Sequence, residues 1–252
     1  MKAVILAAGQ GTRLRPLTNY LPKCLVQVHG KPLLQYTLES LDHIGIQHCV
    51  IVVGHLCEQV QHQFGSRFRD MLLTYVVNER YMLTNNLYSL WLTRHELDDD
   101  ILLLECDLLF DEGLLDDVVK APFPDVAVVD KFQPSMDGTV ILAESGMARS
   151  MVLKSEQGTD FDYHNALKTV NIYKLCQPTM GHKFLPLMDR YVTQGLENLF
   201  YEAVMAELIN GGKLRLSPLL SGARRWIEID TEDDLHLAKK LFSWPSLEGA
   251  VL

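Results

Sequence analysis

Short apolar runs and segments of helical spacing alternate through the first half of the chain. Ala3–Leu6 is wholly apolar and reads as a buried strand. Cys49–Val53 is a continuous run rich in β-branched residues, as expected of a parallel strand buried on both faces. Ile101–Glu105 and Leu72–Val77 read as further strands. Between them, Pro32–Ile44 sets Leu34, Leu38 and Leu41 on one helical face, with Pro32 suited to the first turn. Glu58–Phe68, Asn86–His95 and Leu114–Val119 read as helices. Strands alternating with helices predict an α/β fold, a mixed and mainly parallel central sheet flanked by helices.

The second half is less regular. Val126–Val129, Thr139–Leu142 and Met147–Leu153 read as strands joined by turns, with Asp137-Gly138 a hairpin signal. Glu156–Asn165 is polar and reads as a loop, and Lys168–Tyr173 as a strand. Phe184–Thr193 and Leu199–Ile209 read as helices, the second ended by Gly211-Gly212. Arg225–Glu228 is a short strand, and Thr231 opens a final helix whose first turn carries Asp233 and Asp234, the sign its dipole favours. With no Pro/Gly/Ser-rich linker, one domain is expected over residues 1–242. Residues from about 126 to 225 would be a part inserted within it, and residues 243–252 an irregular tail.

Composition narrows the partners. With 252 residues, 48% of them hydrophobic, the chain can build a sizeable core, and its net charge of −9 argues against general nucleic-acid binding. The five cysteines have no Cys-x-x-Cys pair, so neither zinc nor a disulfide framework is indicated. No signal peptide precedes the first strand and no apolar run reaches the ~18 residues of a membrane span. A cytoplasmic protein with no membrane insertion is expected; oligomeric state, a dimer included, is left open.

The acidic chain carries one locally basic loop. Leu6-Ala7-Ala8-Gly9-Gln10-Gly11-Thr12-Arg13-Leu14-Arg15 leaves the first strand, and Leu21-Pro22-Lys23-Cys24-Leu25 follows. Small residues let backbone N–H groups approach an anion, and Arg13, Arg15 and Lys23 supply neutralising charge. A Walker A loop does not fit, because Gly11 is followed by Thr12-Arg13. A dinucleotide fingerprint does not fit either, because Leu14 holds the place of its third glycine. Asp107, just past the Ile101–Glu105 strand, lies where ligands bind an open parallel sheet; it is a candidate magnesium ligand or a plain turn residue. Asp230 follows a second short apolar strand and is open to the same two readings, its plain one being a helix cap. Asn85 and Asn86 can cap a helix, and amides can also read a base edge.

The run from Leu6 to Thr18, then Leu21–Leu25, then Gly30–Leu34, resembles the signature of the sugar-phosphate nucleotidyltransferases, and the likeness extends to about Phe242. The resemblance implies a single Rossmann-like nucleotidyltransferase domain that joins a nucleoside triphosphate to a phosphorylated small molecule and releases pyrophosphate. It implies that Lys23 reaches the α-phosphate, that Arg13 holds the β- and γ-phosphates, and that Asp107 and Asp230 bind Mg2+. Leu6, Ala8, Gly9, Gly11, Thr12, Asn78, Thr84, Asn85 and Asn86 would line the nucleotide. Arg15 and Lys31 are expected to be exposed or paired rather than engaged.

Tyr81–Leu90, with its Asn85-Asn86-Leu87-Tyr88-Ser89-Leu90, together with Leu103–Phe110, Lys168–Lys174 and Trp226–Asp230, looks like the cytidylyltransferases that activate phosphocholine or 2-aminoethylphosphonate, with Lys168–Lys174 resembling the phosphonate branch most. The substrates so implied are CTP and a small phosphonate or phosphate carrying an amine. Lys168 would contact the acceptor phosphate, although alone it reads as a solvated strand end. Asp130, Asp162, Tyr173 and Glu228 are candidates for the acceptor's cationic end, by ion pairing or cation–π contact. Alternatives are a hexose-1-phosphate nucleotidyltransferase and a catalytically inactive nucleotide sensor.

Overall fold

The structure, a computed structural model, describes residues 1–243; most of the expected C-terminal tail lies outside the described residues. The strands are β1 (Lys2–Ala7), β2 (Gln27–Val28), β3 (Lys31–Pro32), β4 (His48–Val53), β5 (Arg67–Phe68), β6 (Met71–Val77), β7 (Ile101–Glu105), β8 (Leu108–Phe110), β9 (Val126–Lys131), β10 (Val140–Glu144), β11 (Met147–Val152), β12 (Ala166–Leu175), β13 (Ser217–Leu220) and β14 (Trp226–Glu228). The helices are α1 (Leu33–His43), α2 (Cys57–Phe64), α3 (Asn86–Leu92), α4 (Gly113–Lys120), α5 (Gln177–Thr179), α6 (Leu185–Thr193), α7 (Glu202–Asn210) and α8 (Glu232–Leu241).

The main sheet runs β11-β10-β12-β7-β1-β4-β6-β5, with β9 on the other side of β12 and β13 beside β9. Strands β7, β1, β4 and β6 are mutually parallel, while β12 runs antiparallel to β7, β9 and β10. Residue alternation along β1 explains why the sheet needs helices on both faces. Ala3, Ile5 and Ala7 join Leu34, Leu38 and Leu41 of α1 in one core, and Val4 and Leu6 join Leu87, Leu90, Tyr173 and Tyr201 in another. A third cluster ties Leu14, Val26 and Leu33 to Leu109 and to Ile229, Leu235 and Ala238, so the C-terminal helix packs beneath the basic loop.

Several boundaries differ from the sequence expectations. The expected helix Glu58–Phe68 ends at Phe64, where Gly65 takes φ 61°, and Arg67–Phe68 turns back as edge strand β5. Asp137-Gly138 is not a hairpin turn: β10 turns into β11 through Ser145-Gly146, and Gly138 instead lies over the Lys168 side chain. The helix expected from Phe184 is preceded by a π-helical turn, Met180–Phe184, and α7 starts at Glu202 rather than Leu199. β8 and β13 were not foreseen; β8 pairs with β14 and so brings residues 107 and 230 together, the backbone N–H of Ile229 donating to the Asp107 carbonyl. Among the described residues, no helix is long and apolar enough to cross a membrane.

Candidate active site

The loop after β1 is shaped by Gly11. Its backbone is left-handed (φ 61°, ψ 41°), and a Cβ there would stand 3.0 Å from Thr18 Cγ2 and 3.1 Å from Lys23 Cβ. Glycine is therefore required twice, for the turn and for the approach of Lys23. The Thr18 hydroxyl donates to the Gly11 carbonyl at 2.7 Å and locks the turn. Lys23 opens a short helical turn after Pro22, with its side chain only 10% exposed.

Lys23 Nζ donates to the Asp107 carboxylate and, at 2.6 Å, to Asp230 Oδ1. Arg13 reaches the same Asp230 oxygen at 2.8 Å. Two carboxylates and two cations thus form one neutral cluster from segments far apart in the chain. Burial alone would lower the Lys23 ammonium's pKa; Asp107 and Asp230 overcome it and drive the pKa well above the usual lysine value. Asp230 is free for this role because Thr231, not Asp230, caps α8: its hydroxyl accepts from the Asp234 N–H, and Asp234 accepts back from Thr231. Asp107 Oδ1 is buried and has no hydrogen-bond partner.

The cluster lies in a cleft of about 360 Å³. Leu6, Ala8, Gly9, Gly11, Thr12, Arg13 and Lys23 line it from the first loop; Asn78, Tyr81, Thr84, Asn85, Asn86 and Ser89 line it from the segment around the start of α3. Asn78 spends its side chain on that segment, donating to Thr84 and Ser89 and accepting from the Arg80 N–H, and so braces it. Asn85 accepts from the Asn86 N–H at the head of α3. Asn86 bridges two elements: its amide donates to Glu105 Oε1 at 2.9 Å and its carbonyl accepts from the Tyr201 N–H at 2.8 Å. Arg15 is exposed and bonded to Gln10, and Lys31 pairs with Glu39, so both stay off the cleft.

Glu105, Glu202 and Glu228 also line the cleft, together with Asn171 and Phe200. Glu202, at the head of α7, was missed in the sequence because an acidic first turn reads as an ordinary dipole contact. It is buried, and its Oε2 has no partner. Burial pushes its pKa up to about 7, against the pull of nearby Lys168. Burial, Asp107 and Glu202 raise that of Glu105 well above the carboxylate range. Glu228 is also raised, by burial and by Asp107 and Asp230, against Lys168. Asn171 was missed too; its signal is a polar residue inside an apolar strand. Its φ is 61°, at a bulge where the β12–β9 register shifts, and its amide donates to Glu228 at 2.6 Å.

Four acceptor candidates do not line the cleft. Lys168 is not a solvated strand end: β12 is paired on both sides, and the lysine is 2% exposed, donating to the Thr169 carbonyl at 2.6 Å and pairing with Glu228 at 3.3 Å. It supports a cleft carboxylate without lining the cleft itself. Asp130 accepts from Trp226 Nε1 at 2.8 Å and lies outside the cleft. Asp162 is exposed in a loop and accepts from the His164 N–H. Tyr173 is fully buried, packed edge-to-face on Tyr201 in the core. Phe132 and Tyr163 stack on each other at 4.1 Å, with Phe161 against Tyr163, so these rings form no cage in the cleft. Cys106 lines the cleft, but burial drives its thiol pKa far above the usual range, so it is no nucleophile.

Residues 3–182 match the MobA-like NTP transferase domain family. The chain belongs to that family. CMP-5'-(3-aminopropyl)phosphonate synthase of Streptomyces rubellomurinus is 35% identical over 255 residues, a match covering 100% of this chain and 40% of the synthase. Choline-phosphate cytidylyltransferase of Streptococcus pneumoniae is 40% identical over 126 residues, 49% of this chain and 52% of that enzyme. In these matches this MobA-like chain spans about half, or less, of the curated relatives' length. Among solved structures, CTP:phosphocholine cytidylyltransferase of S. pneumoniae has a TM-score of 0.75 at 26% identity, over 95% of this chain and 98% of that one. The inositol-1-phosphate CTP transferase of T. maritima has a TM-score of 0.73 at 23% identity and shares the fold, over 100% of this chain and 98% of that one.

Proposed function

We propose that this NTP-transferase-family chain is a cytidylyltransferase that moves CMP from CTP onto a small phosphonate or phosphate bearing a primary amine, 2-aminoethylphosphonate being the best fit. The observation that carries the reading is one cleft with two chemically opposite walls: Arg13 and Lys23 for phosphates, Glu202 and Glu228 for a cation. The relatives of this family that act on aminopropylphosphonate and phosphocholine support an acceptor with an anionic and a cationic end.

The acceptor's phosphonate oxygen attacks the α-phosphorus in line, and pyrophosphate leaves. A phosphate monoester has its second pKa near ~6, so the nucleophile is already ionised near neutral pH and needs no general base. The barrier is repulsion between two polyanions: a unit pair at about 4 Å costs ~1 kcal/mol in water and ~4 kcal/mol near a protein surface. Lys23 and Arg13 offset that charge, and catalysis is positioning plus neutralisation.

Among the described residues no group of three or more His, Cys, Asp or Glu forms a metal cluster, but magnesium commonly takes one or two carboxylates plus substrate phosphates. Asp107 and Asp230 fit that donor set, and Asp107 Oδ1 is a buried acceptor without a hydrogen-bond partner. They would hold Mg2+, which when bound would offset charge on the triphosphate.

A primary ammonium brings three N–H donors, which suits unpaired carboxylate oxygens; a quaternary ammonium brings none and is better held by an aromatic cage. Tyr81 and Phe200 are the aromatic side chains of the cleft. The test is pyrophosphate release over a matrix of CTP, UTP and dTTP against 2-aminoethylphosphonate, phosphoethanolamine, phosphocholine and glucose-1-phosphate. Release with CTP and the two primary amines, ahead of phosphocholine, supports the reading. Turnover of glucose-1-phosphate with UTP or dTTP, or nucleotide binding without release, overturns it in favour of a hexose-1-phosphate enzyme or a sensor.

A further inference from the structure

We propose that Lys23 is a built-in cation of the free protein: its ammonium clamps Asp107 to Asp230 until a nucleotide phosphate draws it away, so divalent-cation binding is gated by the nucleotide. The inference rests on reading Asp107 and Asp230 as the metal's carboxylates.

Three observations carry it. Lys23 Nζ bonds both carboxylates at once, so the position between them already holds a monocation. The cluster is closed in charge: two carboxylates face Lys23 and Arg13. A dication added to it would bring two charges close to Lys23, which contacts both carboxylates, and to Arg13, which contacts Asp230, and like charges at such range repel. The remaining observation is mechanical. The Lys23 stem is buried and packed against Gly11, where an added Cβ would stand 3.1 Å from Lys23 Cβ. With the stem held there, the ammonium leaves the carboxylates by rotation of the far end of the side chain, and it needs an anion to turn to. The incoming triphosphate is that anion. It takes Lys23 and Arg13, and the two carboxylates are released together, already positioned by the β8–β14 pairing.

The linkage is reciprocal: whatever nucleotide phosphate does for cation affinity, the cation does for the nucleotide. It also yields a counterintuitive expectation. Removing a positive charge from a cation site ordinarily tightens it modestly; here the substitution should also shrink the dependence on nucleotide.

The experiment is Mn2+ binding to the full chain by calorimetry, for wild type and Lys23→Met, each without nucleotide and with saturating CTP. Wild type should bind Mn2+ weakly alone. Lys23→Met should bind it at least tenfold tighter without nucleotide, and CTP should then improve its affinity at least tenfold less than it improves wild type's. Mn2+ binding by nucleotide-free Lys23→Met that is less than tenfold tighter than wild type's, or a CTP effect as large as in wild type, overturns the gate alone. Absence of Mn2+ binding at these carboxylates in every arm, with Asp107→Asn indistinguishable from wild type, overturns the gate and the metal reading together. A measurement on unmodified protein guards against a variant that does not fold. With 15N-labelled lysine, the ion-paired Lys23 ammonium resonance should shift on adding CTP with EDTA present and stay in place on adding Mg2+ alone. A shift with Mg2+ alone overturns the proposal.

Discussion

The two walls of the cleft are charged in opposite ways and satisfied in opposite ways. On the phosphate wall Lys23, Arg13, Asp107 and Asp230 neutralise one another in direct contact. On the acidic wall Glu105, Glu202 and Glu228 crowd together, and the ammonium paired with them, Lys168, reaches only Glu228, at 3.3 Å. The first wall is at rest and must be opened by its ligand. The second carries buried carboxylates whose charge is incompletely answered, which a bound cation would relieve. A substrate with an anionic and a cationic end meets both needs in one pose.

The largest expected effect comes from the wall at rest. Asp107→Asn keeps the shape but removes one charge from the cluster. We expect kcat/KM to fall by about 10²–10³, comparable to losing one preorganised electrostatic contact. The KM for the amine acceptor should change much less, since that end is held elsewhere. Steady-state kinetics with CTP and acceptor varied separately checks this, and a variant within threefold of wild type would break the assignment of the phosphate wall.

The acidic wall is probed by Glu202→Gln, with an expected rise of about 10-fold in acceptor KM, the worth of one charge-assisted hydrogen bond, and little change in KM for CTP. The same variant has a pH signature. Glu202 keeps its proton in the fold up to about pH 7, whereas the unfolded chain loses it near pH 4.5. Over that window the folded state binds more protons, so wild-type stability falls as pH rises and stays lowered above pH 7. The total is about 3 kcal/mol at most, from ~1.4 kcal/mol per pH unit. Glu202→Gln should remove this slope, so denaturant melts at pH 5 and pH 8 should differ less for the variant than for wild type. Equal slopes would mean that Glu202 is charged throughout, and the contrast between the walls would weaken.

The walls also differ in how far the sequence discloses them. Gly11, Arg13 and Lys23 are near neighbours in one loop at the end of an apolar strand, so local chemistry announces them. Asp107 and Asp230 each follow a short apolar strand; the family resemblance implies that they act together, but the β8–β14 pairing that joins them is invisible in the sequence. The acidic wall is assembled from β7, α7 and β14, with Asn171 turned into it by a bulge that no periodicity shows. Lys168, Asp130 and Tyr173 mislead for the same reason. Whether a polar side chain on an irregular strand faces a ligand, a neighbour or the core is decided by pairing register, and one residue of shift reverses it. The parallel half, with strands buried on both faces, is legible because nearly every position must be apolar.

A more modest effect is expected at the hinge of the phosphate wall. Gly11→Ala must hold a left-handed backbone, at about 1–2 kcal/mol, and its methyl would press on Lys23 Cβ. Chemical denaturation should show that loss. A drop in kcat beyond what reduced folding explains would show that the approach of Lys23, and not the turn alone, requires glycine.

The smallest effect sharpens the comparison most cheaply. Asp162 was a candidate for the cationic end of the acceptor, yet it is exposed in a loop and bonded to its own backbone two residues on. Asp162→Ala should change stability by no more than about 0.5 kcal/mol, as for an ordinary surface site. Acceptor KM should stay within twofold of wild type, while Glu202→Gln moves it severalfold. Both are acidic side chains, and they differ in burial and in facing the cleft. If Asp162→Ala raised acceptor KM as much as Glu202→Gln, general attraction of the amine to an acidic protein would explain binding, and the acidic wall would lose its claim to recognise anything. If only Glu202→Gln does so, and the difference persists in 0.5 M salt where exposed charges are screened within a few ångströms, then desolvated contact selects the acceptor.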